Sequence, residues 1–576
     1  MGDAEELAFL SWFTEHGGWI DQSLSLEKIP GMGRGLVATR PIAENERLFS
    51  IPRSMLLNLG TSALVPACEA AERARPPKAG HAWSDVMDRG WCPLILMLMW
   101  EHRHASTQEH NERFTWGSYF GIMPTSFTTP MFWNSNELRE LQGTDVQDKI
   151  GRMEAETDYH ECVLPYVQQY PEVFLGSGVT DVPAEISKWY HIDLYHRMGS
   201  LLLSRSFHVK RDLNRAESDE ADISSAPAEV AVERAIPRNE AQDDQGDEEE
   251  EEEEEEAEIE IQDDQDDEEK EENDEDVRDI SMVPMADMLN AKFGSENTRC
   301  FYKREALEMR CTRPIAIGEQ LLNTYGNPPN SDLLRRYGFV DEPNRGDLLE
   351  LPATTIFDAA LNKLCLATQA SEDVIRTFLM PRFEWACTEL GIDEVFLMCR
   401  LSKPENTAPY AGTLTLDASR PLTSADRRVL SRASGEISDD LVGFVRLLCV
   451  TQDDFERAKK KEALPNARLD AVEAMDASWP GSPPEGAMLS VASVLRDALA
   501  LRGKAYPTTW NDTAKALVEC TASSEDPYRM ALVVRAGDQA ILQEHTTVTE
   551  LVLAHARAQA SGAASNPAPS KKARRT

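Results

Sequence analysis

One run of acidic residues constrains the fold of this 576-residue chain more than any other feature of its sequence. Residues 240–279 hold 27 aspartates and glutamates against two basic residues, Lys270 and Arg278, which gives a local charge of −25. Such a segment cannot bury enough apolar surface to offset the entropy lost when a chain becomes ordered. We therefore predict a disordered acidic loop over residues 214–279, with folded pieces before and after it.

Outside this run the chain has the charge and composition of an ordinary folded protein. The formal net charge of −41 leaves −16 for the other 536 residues, and 41% of the chain is hydrophobic. The longest wholly apolar stretch, residues 93–100, is too short to cross a bilayer, and the first residues lack the cationic start of a secretory signal. We expect an intracellular protein with no membrane span and no direct contact with nucleic acid.

The cysteine and histidine residues do not indicate a disulfide framework or a metal centre. The ten cysteines are scattered, and the closest two are Cys300 and Cys311. Zinc sites commonly use CxxC pairs or an HExxH helix, and neither pattern occurs in this sequence. We therefore predict reduced thiols and no bound metal.

Strand-like and helix-like stretches alternate along the chain and predict an α+β fold. A leading helix is predicted within residues 1–21, followed by a β-rich unit over 22–342. That unit carries a helical insertion at about 61–207 in addition to the acidic loop. An all-α C-terminal domain is predicted over 343–556 and a disordered basic tail over 557–576.

Amphipathic periodicity locates individual helices. In the C-terminal domain they are predicted at Thr354–Thr368, Asp440–Lys461, Ala487–Arg502 and Asp512–Cys520. Thr509 precedes the last of these and forms a predicted capping box with Asp512. In the first half, one buried helix is predicted over Trp189–Phe207, and Pro93 is predicted as the first residue of another.

Three glycines, Gly31, Gly33 and Gly35, precede the first strand-like segment. Their G-x-G-x-G spacing, followed by a strand rather than a helix, excludes the dinucleotide-binding fingerprint. Two interpretations remain open. The glycines either form a tight turn between strands, or leave room for a flat cofactor close to the backbone.

Polar residues in short apolar segments between Met282 and Phe339 are candidates for chemistry. Asp287, Asn290, Tyr325 and Tyr337 are among them, and each alone is more often a satisfied core group than a catalyst. Five segments occur in a fixed order, namely GMGRGLVATRPI, SRSF, MVPMADMLN, GEQLLNTYG and RRYGFV. In these segments and their order the chain resembles the SET-domain methyltransferases.

Within that superfamily the chain resembles the branch that has a split SET domain and a C-terminal helical substrate-binding domain. This branch includes Rubisco large-subunit methyltransferase, and the segments PMADMLN, NTYG and LLRRYGFV are most similar to its ribosomal lysine methyltransferase 4 and SET domain-containing protein 6 groups. The resemblance implies that residues 22–342 form a split SET domain and residues 343–556 a substrate-binding domain. It also implies a protein-lysine N-methyltransferase that uses S-adenosyl-L-methionine.

The resemblance assigns roles to individual residues. Cofactor contacts are implied for Met32, Gly33, Arg34, Arg205, Asn290, Ala291 and Tyr325. Arg205 is expected near the cofactor carboxylate, and Tyr325 is the implied catalytic tyrosine. Substrate contacts at or around the lysine channel are implied for Asp287, Tyr302, Tyr337 and Phe339.

One residue departs from the family pattern, which usually has Asn-His where this chain has Asn290-Ala291. If that histidine acts through its backbone groups, alanine can replace it, because the amide and carbonyl remain. If the imidazole itself is needed, cofactor affinity falls. The otherwise intact motif favours the backbone interpretation.

The expected substrate is a basic intracellular protein, and the resemblance favours a large-subunit ribosomal protein and monomethylation. Attraction between the acidic loop and a lysine-rich substrate is one interpretation of that loop, and a solvated insertion without a role is the other. A histone or transcription factor is the alternative substrate. A catalytically inactive SET-fold adaptor for basic proteins is the alternative of a different class.

We expect the protein to be a monomer. The KKARR segment, Lys571–Arg575, resembles a short basic nuclear-import signal. Nuclear residence is therefore predicted, with the cytoplasm as the alternative.

Overall fold

The computed structural model describes residues 4–107, 116–176, 178–209, 279–292, 294–392, 394–401, 423, 433, 436–464 and 491–564. The predicted acidic loop, apart from Asp279, and the end of the predicted basic tail lie outside the described residues. The chain forms two compact units, each made of two stretches. The first unit contains residues 1–126 and 153–326, and the second contains 127–152 and 327–576.

The strands of both units are short. In chain order they are β1 (Trp19–Ile20), β2 (Leu24–Ile29), β3 (Gly33–Ala38), β4 (Arg47–Pro52), β5 (Ser206–His208), β6 (Ile280–Met282), β7 (Asn290–Ala291), β8 (Thr298–Tyr302), β9 (Ala306–Cys311), β10 (Leu322–Asn323), β11 (Leu348–Pro352) and β12 (Val395–Cys399). Of the strands described, β11 and β12 lie in the second unit, and the strands around the glycine cluster and the MVPMADMLN segment share the first unit.

The α-helices make up most of the remaining described structure. In chain order they are α1 (Ala4–Glu15), α2 (Leu64–Ala74), α3 (Trp83–Met87), α4 (Cys92–Thr107), α5 (Gly117–Ile122), α6 (Ser135–Arg139), α7 (Arg152–Asp158), α8 (Leu164–Gln169), α9 (Pro171–Phe174), α10 (Val182–Trp189), α11 (Ile192–Arg205), α12 (Asn330–Asp332), α13 (Ala353–Thr368), α14 (Glu372–Glu389), α15 (Asp439–Cys449), α16 (Gln452–Lys461), α17 (Val491–Gly503), α18 (Trp510–Glu519) and α19 (Pro527–Ala564). Short 3₁₀ turns lie at Arg53–Met55, Pro130–Phe132, Gln147–Lys149 and Ala286–Met288, and π-helical turns at Tyr159–Val163 and Leu333–Tyr337.

The sheets of the first unit are small. The largest has the strand order β1-β4-β9-β8, and its neighbouring strands are antiparallel. Buried and half-buried residues alternate along β9, as expected for a strand with one face on the core. Separate pairs are formed by β2 with β3, by β5 with β6 and by β7 with β10.

The β5–β6 pair joins the chain on the two sides of the acidic segment. Phe207 lies opposite Ser281 in this antiparallel pair, and the backbone N–H of Val209 donates to the carbonyl of Asp279 at 2.7 Å. Loop-closure entropy grows slowly with length, so a long insertion between two paired strands costs the fold little. The end of α11 and the segment after β6 therefore lie side by side.

Two stretches that were each predicted as one helix are interrupted in the structure, and a side chain caps the helix that begins after each interruption. The stretch predicted as one helix over Trp189–Phe207 contains the last residue of α10, the whole of α11 and the first two residues of β5. The His191 ring accepts from the Leu194 N–H at the start of α11. The stretch predicted over Asp440–Lys461 is two helices, because Val450 is extended and Thr451 caps α16.

Other helix predictions agree with the structure more closely. Thr509 caps α18, accepting from the Asp512 N–H at 3.3 Å while its hydroxyl donates to the Asp512 carboxylate at 2.6 Å. The helix predicted at Thr354–Thr368 runs from Ala353 to Thr368. Pro93 is the second residue of α4 rather than the first, and residues on every side of this helix are buried.

The described residues of the second unit form a large apolar core, and an ion pair joins distant stretches of its sequence. The core is formed by residues of β11, β12, α13, α14, α15, α16, α17 and α19. Arg502 in α17 donates to the Gly143 carbonyl at 2.8 Å and to Asp145 Oδ1 at 2.8 Å. Asp145 Oδ2 accepts from the Glu350 N–H at 2.9 Å. Residues 127–152 therefore belong to the second unit, although the sequence placed them inside the insertion at 61–207.

We expect Gly143→Ala to lower the free energy of unfolding of the second unit by about 3 kcal/mol, because it combines left-handed strain with overpacking. Gly143 has φ +81°, and an added Cβ would lie 2.7 Å from the backbone carbonyl of Ala505. Gly151→Ala is the matched control, since it has φ +69° with no atom within 4 Å of the added Cβ. Strain alone predicts a loss of about 1 kcal/mol there. Urea unfolding of both variants measures the difference, and equal losses would contradict the contact with Ala505.

Candidate active site

Gly35 in β3 is where the strand after the glycine cluster comes close to the MADMLN segment. The side-chain amide of Asn290 donates to the backbone carbonyl of Arg34 at 3.1 Å. A Cβ on residue 35 would lie 2.9 Å from Asn290 Nδ2 and 2.6 Å from Gln320 Nε2. Glycine at this position therefore lets two side-chain amides reach the β3 backbone.

The Arg34 side chain points away from that contact. Its guanidinium forms ion pairs with Glu5 at 3.1 Å and Glu6 at 3.3 Å in α1, and donates to the carbonyl of Ile122 at 2.9 Å. These contacts fix β3 to α1 and α5. The cofactor contact predicted for Arg34 can therefore involve its backbone but not this engaged guanidinium.

Asp287 lies at the centre of the site, in a 3₁₀ turn that follows Met285. Its side chain is completely buried, and its Oδ2 accepts from the Tyr119 hydroxyl at 2.8 Å. Arg205, the last residue of α11, donates from Nη1 to the Asp287 backbone carbonyl at 2.6 Å, and the same nitrogen lies 3.7 Å from Oδ2. Two of the predicted site residues thus meet across the acidic segment.

The electrostatics of Asp287 suit a group that titrates close to neutral pH. Burial raises the pKa of this carboxyl to about 6, while Arg205 and the Tyr119 hydrogen bond oppose the rise. Burial also raises the pKa of Tyr119 well above its usual value. The other carboxylate oxygen, Oδ1, is buried and has no hydrogen-bond partner among the described residues. An acceptor atom is thus buried beside Arg205.

Tyr325 comes just after β10, and its hydroxyl donates to the Leu289 carbonyl at 3.1 Å. Burial raises the pKa of this hydroxyl, with Arg205 opposing and Asp287 adding to the rise. Tyr325 therefore keeps its proton at neutral pH. The hydroxyl of the predicted catalytic tyrosine therefore contacts Leu289, the residue that precedes Asn290.

The short strand β10 is held in place on both sides. It pairs in parallel with β7, with Leu322 opposite Asn290 and Asn323 opposite Ala291. Asn297, which is fully buried, donates its N–H to the Leu322 carbonyl at 3.1 Å and accepts from the Leu322 N–H at 2.7 Å. An alanine at 291 leaves the backbone of this ladder intact. Asn297 therefore holds the strand that precedes Tyr325, although no sequence motif indicated this residue.

Four other predicted residues lie in the turn before β3, at the end of β8 and in the second unit. Met32 is 37% exposed in the turn before β3. Tyr302 lies at the end of β8, where burial raises its pKa and Arg53 opposes the rise. Tyr337 and Phe339 belong to the second unit, with ring centroids 6.1 Å apart. The roles of these four residues in binding cofactor or substrate stay predictions.

The described residues contain no group of three or more His, Cys, Asp or Glu side chains that could hold a metal ion. All ten cysteines lie in the described part of the chain and are free thiols. Among the helices that the structure describes, none is long and apolar enough to span a membrane.

Comparisons with known proteins point to relatives of one kind. Ribosomal lysine N-methyltransferase 4 of Saccharomyces cerevisiae is 29% identical over 311 residues, which cover 54% of this chain and 49% of the relative. N-lysine methyltransferase setd6 of Xenopus laevis is 25% identical over 388 residues, 66% of each protein. The chain thus spans about half to two thirds of the length of these relatives.

A solved structure, the SET domain of LSMT bound to lysine and AdoHcy, is 16% identical with a TM-score of 0.49, over 95% of this chain and 92% of that chain. The family model described as SET domain matches residues 33–326, half of the chain. The match includes β3, Arg205, Asp287, Asn290 and Tyr325. The predicted family and its α+β fold class are confirmed. The chain belongs to the SET-domain family.

Proposed function

We propose that this protein is a protein-lysine N-methyltransferase that uses S-adenosyl-L-methionine. One observation carries the proposal. Arg205 from before the acidic segment and Asp287 from after it are joined by a 2.6 Å hydrogen bond, beside Asn290 and Tyr325. The names of the two relatives, both lysine methyltransferases, support it further.

The residues of this site fit that cofactor. S-adenosylmethionine has a carboxylate, an amino group and a flat adenine, and it supplies an electrophilic methyl group on a sulfonium. The Arg205 side chain is 24% exposed, and its guanidinium would hold the carboxylate. Because residue 35 has no side chain, the Asn290 amide can lie against β3, and this amide would contact the cofactor. The unpartnered Asp287 Oδ1 offers an acceptor for an N–H donor.

Tyr325 acts in this proposal by orienting the substrate rather than by accepting its proton. Because its pKa is raised, the hydroxyl stays protonated and donates to the Leu289 carbonyl. Its oxygen is also a hydrogen-bond acceptor, to which an N–H of the substrate amine would donate. Holding the amine in line with the methyl group accounts for a large share of the rate.

The substrate lysine must lose a proton before it can react. Free lysine has a pKa of about 10.4, so most of it is protonated at neutral pH, and only the neutral amine is a nucleophile. Burial in a site with positive charge nearby lowers that pKa. With Tyr325 protonated, water is the acceptor we propose for the proton.

The substrate we propose is a basic protein of the large ribosomal subunit, with one methyl group added to a lysine. The name of the yeast relative supports the ribosomal assignment. The local charge of −25 over residues 240–279 also favours association with a lysine-rich partner, an attraction that weakens as salt rises.

Transfer of label from S-[methyl-³H]adenosylmethionine tests the proposal. The purified protein would be incubated with large-subunit ribosomal proteins, with histones, and with ribosomal proteins whose lysines have been acetylated. We expect label in the first sample and none in the acetylated one. Label in histones alone would replace the ribosomal assignment. No label in any sample, together with no cofactor binding, would refute the enzymatic function.

We also propose that the protein resides in the nucleus, on the strength of the KKARR segment at Lys571–Arg575. A fluorescent reporter carrying the last ten residues should accumulate in nuclei. The same reporter with the five residues changed to alanine should not. A wild-type fusion that stays in the cytoplasm would contradict this assignment.

A further inference from the structure

Tyr119 in α5 lies behind the active site and is held rigidly. Its side chain is completely buried. Its ring stacks on Trp12 of α1 with a centroid distance of 6.3 Å and an interplanar angle of 2°, and on Phe9 at 6.2 Å. Close packing on two rings leaves the hydroxyl little freedom to change direction. The hydroxyl therefore has a fixed position relative to α1.

That hydroxyl points at one oxygen of Asp287. The O–H donates to Asp287 Oδ2 at 2.8 Å. A hydrogen bond to an ionised carboxylate is stronger than one between neutral groups and favours the charged form. With Oδ2 engaged in this way, Oδ1 is the oxygen that has no partner among the described residues. The Tyr119 contact thus determines which oxygen of Asp287 is left without a partner among the described side chains.

We propose that Tyr119 is a positioning residue of the methyltransferase, orienting the Asp287 carboxylate and keeping it ionised in the active site. The inference rests on the proposed function. Tyr119 lies in the predicted helical insertion and is 168 positions from Asp287 in the sequence. Tyr119 acts on the reaction only through Asp287.

Ionisation of Asp287 matters because the other charges of the site are positive. The described groups with a charge or a titratable proton that face this carboxyl are Tyr119 from α5, Arg205 from α11 and Tyr325 after β10. S-adenosylmethionine carries a net positive charge, because its sulfonium and ammonium groups outweigh its carboxylate, and a protonated lysine also brings positive charge. An ionised Asp287 offsets the charge of Arg205, whereas a protonated one leaves a site that repels both molecules. Cofactor affinity should therefore fall as pH drops through the pKa of Asp287.

Loss of the Tyr119 hydroxyl should move this fall in affinity to higher pH. The hydrogen bond lowers the pKa of Asp287, so Tyr119→Phe raises it. One charge-assisted hydrogen bond corresponds to a shift of about one pH unit. With the wild-type midpoint near pH 6, the variant should bind S-adenosylmethionine about fivefold more weakly at pH 6 and within about twofold of wild type at pH 8.5.

Calorimetric titration of the full-length protein with S-adenosylmethionine between pH 5 and 8.5 measures this midpoint without relying on turnover. Tyr190→Phe is the matched control. Tyr190 is also fully buried on the insertion, and its hydroxyl donates to the Phe174 carbonyl at 2.9 Å, away from Asp287. The control should keep the wild-type midpoint. Asp287→Asn, which cannot titrate, should lose the acid-side fall in affinity altogether.

The outcomes separate this inference from the proposed function. The role of Tyr119 would be overturned if Tyr119→Phe leaves the pH midpoint of cofactor affinity unchanged, or weakens binding by the same factor at every pH. It would also be overturned if the affinity of Asp287→Asn still falls at acidic pH. The enzymatic function would still stand if wild type transfers methyl groups. Conversely, a wild-type protein that shows the predicted midpoints but methylates no protein would overturn the function and leave the Tyr119 contact supported.

Discussion

Tyr325→Phe is expected to lower kcat for methyl transfer about 100-fold to 1,000-fold, the range found when one positioned hydrogen-bonding group is removed from an active site. The hydroxyl donates to the Leu289 carbonyl and is the group proposed to orient the substrate amine. Phenylalanine keeps the ring and its packing but loses that group. Cofactor affinity should change less than about threefold, because binding of the cofactor does not depend on one such neutral hydroxyl.

Initial rates at saturating cofactor and substrate, together with calorimetric cofactor affinity, measure the effect. Tyr159→Phe provides the control, since Tyr159 is buried in the same unit and its hydroxyl donates to the Tyr190 carbonyl at 2.6 Å. It should retain wild-type kcat. If Tyr325→Phe loses less than about threefold in kcat, the hydroxyl does not position the amine, and the central role of Tyr325 is refuted.

Gly35→Ala is expected to weaken S-adenosylmethionine binding about tenfold or more, which corresponds to about 1.4 kcal/mol. The added Cβ would lie 2.9 Å from Asn290 Nδ2 and 2.6 Å from Gln320 Nε2. The Gln320 amide is at the end of a longer side chain and can move. Asn290 is short, so its amide must leave the Arg34 carbonyl that it now contacts at 3.1 Å. The backbone and the amide proposed to face the cofactor would both be displaced.

The control for this variant is Gly121→Ala, because an added Cβ at residue 121 meets no atom within 4 Å. Calorimetric affinity and the thermal unfolding midpoint should both remain close to wild type in the control. A Gly35→Ala protein that folds normally and binds the cofactor as tightly as wild type would show that β3 does not lie along the cofactor.

Local sequence signals predicted the parts of the fold that short-range interactions determine. Thr509 and Asp512 are three residues apart, and the cap they form depends on nothing more distant. In α1 the apolar residues Phe9, Trp12 and Phe13 are buried, together with Glu6. The SET-domain family could be predicted because its motifs are short, ordered segments that the sequence displays directly.

Contacts between distant residues could not be predicted in this way. Tyr119 reaches Asp287 across 168 positions, and no pattern around Tyr119 distinguishes it from a core tyrosine. The Arg34 guanidinium pairs with α1 instead of pointing into the site, because Glu5 and Glu6 are brought to it by helix packing. Asn297 resembles a turn residue in sequence, yet it is buried and fixes β10.

The division of the chain is also a long-range property. Residues 127–152 join the second unit through Asp145 and Arg502, which are 357 positions apart. The second stretch of the second unit begins at residue 327, whereas the domain boundary was predicted at 342. As a result, Tyr325 and Tyr337 lie in different units although twelve positions separate them.

Lysine methylation by this protein can be measured by tandem mass spectrometry of a basic ribosomal protein after incubation with the purified protein and S-adenosylmethionine. With wild-type protein we expect one added methyl group on the Nζ of a specific lysine. With Tyr325→Phe we expect a strongly reduced amount of the same product. Methylation of a residue other than lysine, or equal lysine methylation by wild type and Tyr325→Phe, would contradict the proposed function.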